Sequence, residues 1–279
     1  MIDALESHWN LARHNDSVRR LLGLVSMILV VGVAALAGYI VEKAAAGIVF
    51  GNAIVVFVAT TGLAQRSLFT HINAVLQPLL ANDLPAARTA VASVVGRDTG
   101  ELDESGVAAA ALESLAESFN DGIVAPAFWL FIGGLPALFA YKAINTADSL
   151  IGHREPRWRM FGWAAARIDD LINLLPARIA GLLLVIAGRG GFATMWRDAA
   201  KHASPNAGWP EAAMAGALEI RIGGACYYDG LRHDRPEFGS GPAARPADLA
   251  RGLHIYVWAC GLLWLTAVLA WAIPFLAGR

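Results

Sequence analysis

LLGLVSMILVVGVAALAGYIV, residues 21–41, decides the fold, because these 21 consecutive positions carry no charged side chain. At 1.5 Å rise per residue, a helix of that length crosses the roughly 30 Å hydrocarbon core of a bilayer. Residues 47–64 form a second apolar run, and the connector Glu42, Lys43, Ala44, Ala45, Ala46 is short enough to predict an antiparallel helical hairpin. Residues 255–276 form a third run, with Trp258, Trp264 and Trp271, whose indoles favour the membrane interface.

Two further apolar stretches are interrupted. Residues 123–141 contain Pro126, Gly133, Gly134 and Pro136, and residues 174–187 contain Pro176 and Arg178. Such breaks are tolerated in a membrane where the freed backbone is buried in protein or lines a cavity, so these segments read as broken spans or re-entrant loops. The fold class expected is an all-α integral membrane protein. It would be one membrane-embedded domain over 1–279, with three spans, two broken segments, polar helical connections and a loop over 189–254. The Gly, Pro and Ser content of 239–246 also predicts a loop.

Composition agrees with that solvent. Hydrophobic residues make up 56% of the 279 positions, charged residues 16%, and mean hydropathy is +0.49. A net charge of −1 from 22 basic and 23 acidic residues gives no basic surface for nucleic acid. Cys226 and Cys260 lie far apart, and Cys260 sits in an apolar run, so neither a disulfide framework nor a thiolate metal site is indicated. The first 20 residues are polar and no small-residue cleavage site follows the first apolar run, so no secretory signal is expected and the first span stays in the mature protein. Arg13, Arg19 and Arg20 precede that span while the hairpin connector holds Lys43 with Glu42, which puts the amino-terminal segment in the cytoplasm.

Between these apolar segments lies a polar tract, 95–178. Each polar group held out of water costs several kcal/mol unless it is paired, so the tract reads as an active site at a membrane. Residues 101–121 are alanine-rich and predicted helical, with Glu113, Glu117 and Asn120 or Asp121 on one face. A carboxylate stripe of that kind holds a hard cation such as magnesium, phosphates completing the shell, or is simply a solvated face. Arg97, Asp98 and Thr99 read as a turn ahead of that helix, with Asp98 or Thr99 as its cap, or as a phosphate cradle. Asp169 and Asn173, four apart, supply more oxygen ligands, and Arg167 and Arg178 flank them as forks for phosphate, although an Asp-Asp pair is often only a helix start. Tyr141, Lys142, Asn145, Thr146, Asp148 and Ser149 pack hydrogen-bonding groups after an apolar stretch; Lys142 either neutralises a phosphate or snorkels. His202, Ser204, Asn206 and Glu211 surround a loop leading into a small-residue helix, and no His pair has zinc spacing. Magnesium and phosphate chemistry beside a membrane is as far as residue types alone lead.

Five motifs go further. VGRDTGELDE (95–104), ESLAESFNDGIVAPAFW (113–129), GGLPALFAYKAINTADSLIG (133–152), FGWAAARIDDLINLLPAR (161–178) and HASPNAGWPEAAMAGAL (202–218) together resemble the adenosylcobinamide-phosphate synthase family of cobalamin biosynthesis. The resemblance covers most of the chain in order. It implies an inner-membrane, multi-pass enzyme that uses ATP and magnesium to join adenosylcobyric acid to aminopropanol phosphate, or its aminoethanol analogue, through an amide bond. The site is expected to open wide to the cytoplasm, where ATP is, with other cobalamin-pathway membrane enzymes as neighbours. In that chemistry Glu113, Glu117, Asp121 and Asp169 are the expected catalytic carboxylates, and with Asn173 the expected magnesium ligands. Arg97, Asp98, Thr99, Lys142, Asn145, Asp148, Arg167, Arg178, Asn206 and Glu211 are expected around ATP or the amino-alcohol phosphate.

Two departures stand out. The family usually begins with a further apolar segment carrying Gly-Asp-Pro and His-Pro-Val type motifs, whereas this chain starts at the run after it, and Ser118 stands where the family commonly has Asn. The competing readings are a magnesium-dependent prenyltransferase, which needs a second Asp-rich motif; a transporter, which needs inverted repeats; and a catalytically weak scaffold paralogue.

Overall fold

The computed structural model describes residues 1–153 and 155–277. Among the described residues the helices are α1 (Ile2–Trp9), α2 (Asp16–Ala46), α3 (Gly51–Thr61), α4 (Gln65–Leu80), α5 (Leu84–Ala92), α6 (Glu104–Phe119), α7 (Ala125–Ile151), α8 (Trp163–Ile172), α9 (Leu174–Ala187), α10 (Phe192–Asp198), α11 (Gly208–Leu218) and α12 (Pro246–Ala277). A π-helical turn, Asn120–Val124, joins α6 to α7. The strands are β1 (Ile222–Gly223), β2 (Cys226–Tyr228), β3 (Leu231–His233) and β4 (Glu237–Phe238), paired antiparallel as β1 with β4 and β2 with β3.

Four helical stretches, Asp16–Ala46, Gly51–Leu80, Glu104–Ile151 and Pro246–Ala270, are long and apolar enough to cross a membrane, and α8 with α9 makes a fifth if counted as one broken span. The chain is therefore an all-α membrane protein, multi-pass by length and composition. One expected boundary moves. Residues 47–64 are not a span by themselves, because α3 has only 11 residues, about 16 Å of rise, and the candidate span runs on to Leu80. The side chain of Trp271 lies outside the described residues.

The chain divides into two compact units, 1–63 with 125–174 and 64–124 with 175–279. In the first, Asn15 caps α2 by accepting from the Val18 amide, and Ile28, Val33, Leu36 and Ile40 are exposed as lipid-facing side chains are. The opposite face of α2 is narrow. A Cβ on Gly38 would lie 2.6 Å from the Leu135 carbonyl oxygen, so α2 and α7 approach backbone to backbone. Met27, Ile144, Ala147, Ile151, Phe161, Ala164 and Ala165 form the core between α2, α7 and α8.

Helix α7 is broken where the sequence places its glycines. Gly133 and Gly134 leave helical geometry, Gly134 with φ of +65°. The freed Leu135 amide donates to Glu42 Oε2 at 3.2 Å, so a carboxylate from α2 caps the second half of α7. Pro136 then stands at the start of that second half, where its missing N–H costs nothing.

In the second unit α6 is buried on nearly every side, as an alanine-rich helix must be when α4, α5, α11 and α12 all pack on it. Its cap is Asp103, whose Oδ1 accepts from the Gly106 amide at 2.7 Å. That corrects the expectation of Asp98 or Thr99 as the cap: Asp103 immediately precedes the first helical residue and they do not. On α12, Tyr256 donates to the Gln65 carbonyl at 2.7 Å and meets Phe119 edge-on, tying that span to α4 and α6. The segment 189–254 holds α10, α11, four short strands and the start of α12, more structure than a loop, with 239–245 among its irregular parts.

Candidate functional site

Four residues from distant parts of the sequence meet in the second unit. Glu113, on α6, is almost wholly buried. Its Oε2 accepts from Arg97 Nη2 at 2.8 Å and from Arg235 Nη1 at 3.4 Å, and its Oε1 from the Gly223 amide at 3.0 Å. Glu211, in the first turn of α11, is 1% exposed, and neither of its oxygens has a hydrogen-bond partner. Arg235 Nη2 is 4.0 Å and His202 Nε2 3.9 Å from Glu211 Oε1. Burial, then the neighbouring charges of Glu117 and Glu113, push the Glu211 carboxyl well above its ordinary range, against the pull of Arg235 and Arg97. For Arg235, burial disfavours the charge, but the Glu113 carboxylate beside it is the largest opposing influence and the guanidinium is held protonated.

Beside this cluster is a cavity of about 130 Å³, lined among others by Arg97, Glu113, Ser114, Glu117, Tyr228 and Arg235. Both signs of charge stand on its wall. That arrangement suits a small ligand with an anionic and a cationic end, each meeting its complement at close range and largely out of water.

Local structure explains the convergence. Ser114 Oγ donates to the Val94 carbonyl at 2.8 Å, which holds the 94–97 turn against α6. Asp98 serves the neighbouring hairpin: its amide donates to the Tyr227 carbonyl and its Oδ2 accepts from the Gly230 amide, both at 2.8 Å. A carboxylate so engaged, and repelled by phosphate, is a staple rather than a phosphate ligand. Thr99 accepts through its carbonyl from the Leu102 amide in the same turn. On the other side, His202 Nδ1 accepts from the Ser204 amide, which aims the other ring nitrogen at Glu211 and Arg235. Arg178, on α9, donates to Asn206 Oδ1 at 2.9 Å and lies over the Trp209 ring at 4.7 Å, fixing the loop that leads into α11.

Asp121 stands in the π-helical turn, where i to i+5 bonding changes the register of the stripe begun by Glu113 and Glu117; its Oδ1 accepts from Asn120 Nδ2 at 2.7 Å. The first unit has a polar cluster of its own. Tyr141 donates to Asn173 Oδ1 at 3.2 Å, Asn173 Nδ2 donates to Asp169 Oδ2 at 3.0 Å, and Asp148 and Asp170 lie within electrostatic reach of Asp169. Asn145 and the half-buried Lys142 belong to the same face of α7, and Arg167 pairs with Asp170 at 3.5 Å on an exposed edge.

Arg235, Tyr228 and the role of His202 were not among the expected site residues. The sequence did signal the turn itself: Tyr228-Asp229-Gly230-Leu231 is a hairpin turn, with Asp229 at φ of 50° and Gly230 at 74°, but not which of the two arginines after it, Arg232 or Arg235, reaches Glu113. Among the described residues no group of three or more His, Cys, Asp or Glu side chains is placed to hold a metal ion. Glu113 in particular does not fit as a magnesium ligand, since both its oxygens are already taken by cations and an amide.

Comparison with known proteins gives consistent matches. A family model described as CobD/Cbib protein matches residues 1–256. A protein of Rhodobacter capsulatus named "Cobalamin biosynthesis protein CobD" is 48% identical over 264 residues, covering 92% of this chain and 82% of the relative. Relatives of the same name from a Sinorhizobium species and from Brucella anthropi are 43% and 41% identical, covering 89% and 90% of this chain and 80% of each relative. No solved structure matches.

Proposed function

The chain belongs to the CobD/Cbib protein family, and on that premise we propose that it acts in cobalamin biosynthesis as the membrane enzyme that joins adenosylcobyric acid to aminopropanol phosphate, or to aminoethanol phosphate, at the expense of ATP. The observation that carries the reading is the cavity whose lining brings together the guanidiniums of Arg97 and Arg235 and the carboxylates of Glu113 and Glu117. An amino-alcohol phosphate has a phosphate at one end and an ammonium at the other, and such a wall complements both.

A free carboxylate does not condense with an amine. In the proposed sequence the γ-phosphoryl group of ATP passes to the carboxylate oxygen and ADP leaves; the amine nitrogen attacks the acyl carbon, the C–N bond forms, the C–O bond breaks and inorganic phosphate departs. The guanidiniums of Arg97 and Arg235 orient the phosphate of the amino alcohol. Glu117 receives the ammonium and takes the proton it must lose before its lone pair can attack. Magnesium would supply charge neutralisation at the nucleotide phosphates and would be carried by them, since among the described residues no cluster of three or more His, Cys, Asp or Glu side chains is placed to hold it. A cytoplasmic mouth on the inner membrane is part of the proposal, because ATP is cytosolic.

The test is product formation by the purified protein in detergent with adenosylcobyric acid, aminopropanol phosphate, ATP and magnesium, followed by mass spectrometry. Adenosylcobinamide phosphate that vanishes when ATP is omitted supports the ligase. Absence of product from folded protein sinks it.

A further inference from the structure

We propose that Arg235, on the connection between β3 and β4, is the specificity determinant by which this cavity selects the phosphorylated amino alcohol over the unphosphorylated one. The inference rests on the ligase reading above and adds a residue to it. Two guanidiniums face one shared carboxylate. Arg97 is the closer partner of Glu113, with both side chains under 10% exposed, so its charge is largely spent inside the protein. Arg235 stands further off, at 3.4 Å from Glu113 and 4.0 Å from Glu211, and about a quarter of its side chain is open. Burial holds Glu211 toward its neutral form, so it offsets Arg235 little. A guanidinium has five N–H donors in a planar fork, and a phosphate monoester offers matching oxygens two at a time.

Size narrows the ligand. A cavity of about 130 Å³ has room for one small phosphorylated molecule beside Arg235. The position of Arg235 is prepared in advance, because Asp98 staples the hairpin through the Tyr227 carbonyl and the Gly230 amide. A site built to satisfy such donors rejects an analogue that lacks the acceptor, since the guanidinium then stays without its partner.

The experiment compares aminopropanol phosphate with aminopropanol as amine substrate of the full chain in detergent, for wild type, Arg235→Gln, Arg235→Lys and Arg232→Gln. Arg232 lies on the same hairpin and pairs with the exposed Asp234, so its variant controls for damage to the hairpin. Arg235→Gln is expected to raise KM for the phosphorylated amine roughly ten- to hundredfold, the loss of a charge-assisted hydrogen bond, and to narrow the preference over aminopropanol by at least the same factor. Arg235→Lys recovers part of the loss and Arg232→Gln shows none. An unchanged KM in Arg235→Gln, or an equal loss for both amines, overturns the inference while leaving the ligase intact. If wild type ligates neither amine, the ligase reading has failed separately, and titration with inorganic phosphate decides: weaker binding by Arg235→Gln than by wild type upholds the phosphate subsite, and equal binding ends it.

Discussion

Replacing Glu113 by Gln keeps the shape of the side chain and an acceptor for the Gly223 amide, yet removes the one charge between Arg97 and Arg235. With the Arg97 side chain 9% exposed and that of Glu113 5% exposed, water cannot take over. Removing one partner of a buried pair costs about 3–5 kcal/mol, and since Gln still accepts hydrogen bonds the lower figure applies. At roughly 2–4 °C per kcal/mol for a chain of this size, about 3 kcal/mol lowers Tm by about 6–12 °C. Thermal unfolding in detergent, followed by the fluorescence of the nine tryptophans, measures it. Two internal checks accompany the main result. The shift should persist at high salt, because a buried pair is poorly screened, and the apolar double replacement Glu113→Leu with Arg97→Met should unfold later than Glu113→Leu alone. A Tm within about 2 °C of wild type, or a difference erased by salt, would refute the claim that Glu113 neutralises this cluster.

Glu211 makes stability fall with pH. Its proton is held more tightly folded than unfolded, so its contribution is full below pH 4.5, its ordinary value, and is lost as pH rises through the raised folded value, with Glu113, Glu117, Arg97, Arg235 and His202 as the charged or titratable neighbours. Glu211→Gln should flatten the decline of Tm above that pH, and parallel wild-type and variant curves would remove Glu211 as its source. Asp198 has the opposite sign: Arg197, then Lys201 and the Gly239 amide hold its carboxyl below the usual range, so its contribution exists above the ordinary carboxylate pKa and is lost in acid. Because Arg197 and Lys201 are about half exposed, Asp198→Asn should cost only on the order of 1–2 kcal/mol at neutral pH and nothing in strong acid; a cost that does not vary with pH would contradict this. Gly38→Ala should destabilise the first unit by several degrees in Tm while Gly32→Ala does not, because a Cβ at 38 meets the Leu135 backbone and one at 32 meets nothing within 4 Å; equal effects would argue against close approach of α2 and α7.

Hydropathy along the chain was enough to place α2, α12 and the broken α7, because the cost of leaving backbone or charge in hydrocarbon is set residue by residue and can be read locally. The five polar motifs likewise identified the family without any contact being known. What hydropathy could not do was end α3, where the apolar run continues past Thr61 but the helix does not. Nor could spacing tell that Asp103 rather than Asp98 caps α6, since both precede the helix and only the turn between them decides which side chain reaches an orphan amide. Glu42 reads as an interfacial charge in the sequence and becomes the cap of a broken helix some ninety residues on. Arg97, Glu113, Glu211 and Arg235 span well over a hundred residues, and each taken singly is an ordinary polar residue. The sequence by itself determined a membrane-embedded helical protein of a known family; the tertiary structure alone decided which charges are paired and which carboxylate is left buried without a hydrogen-bond partner, because charge pairing falls off over a few ångströms of space and is blind to distance along the chain.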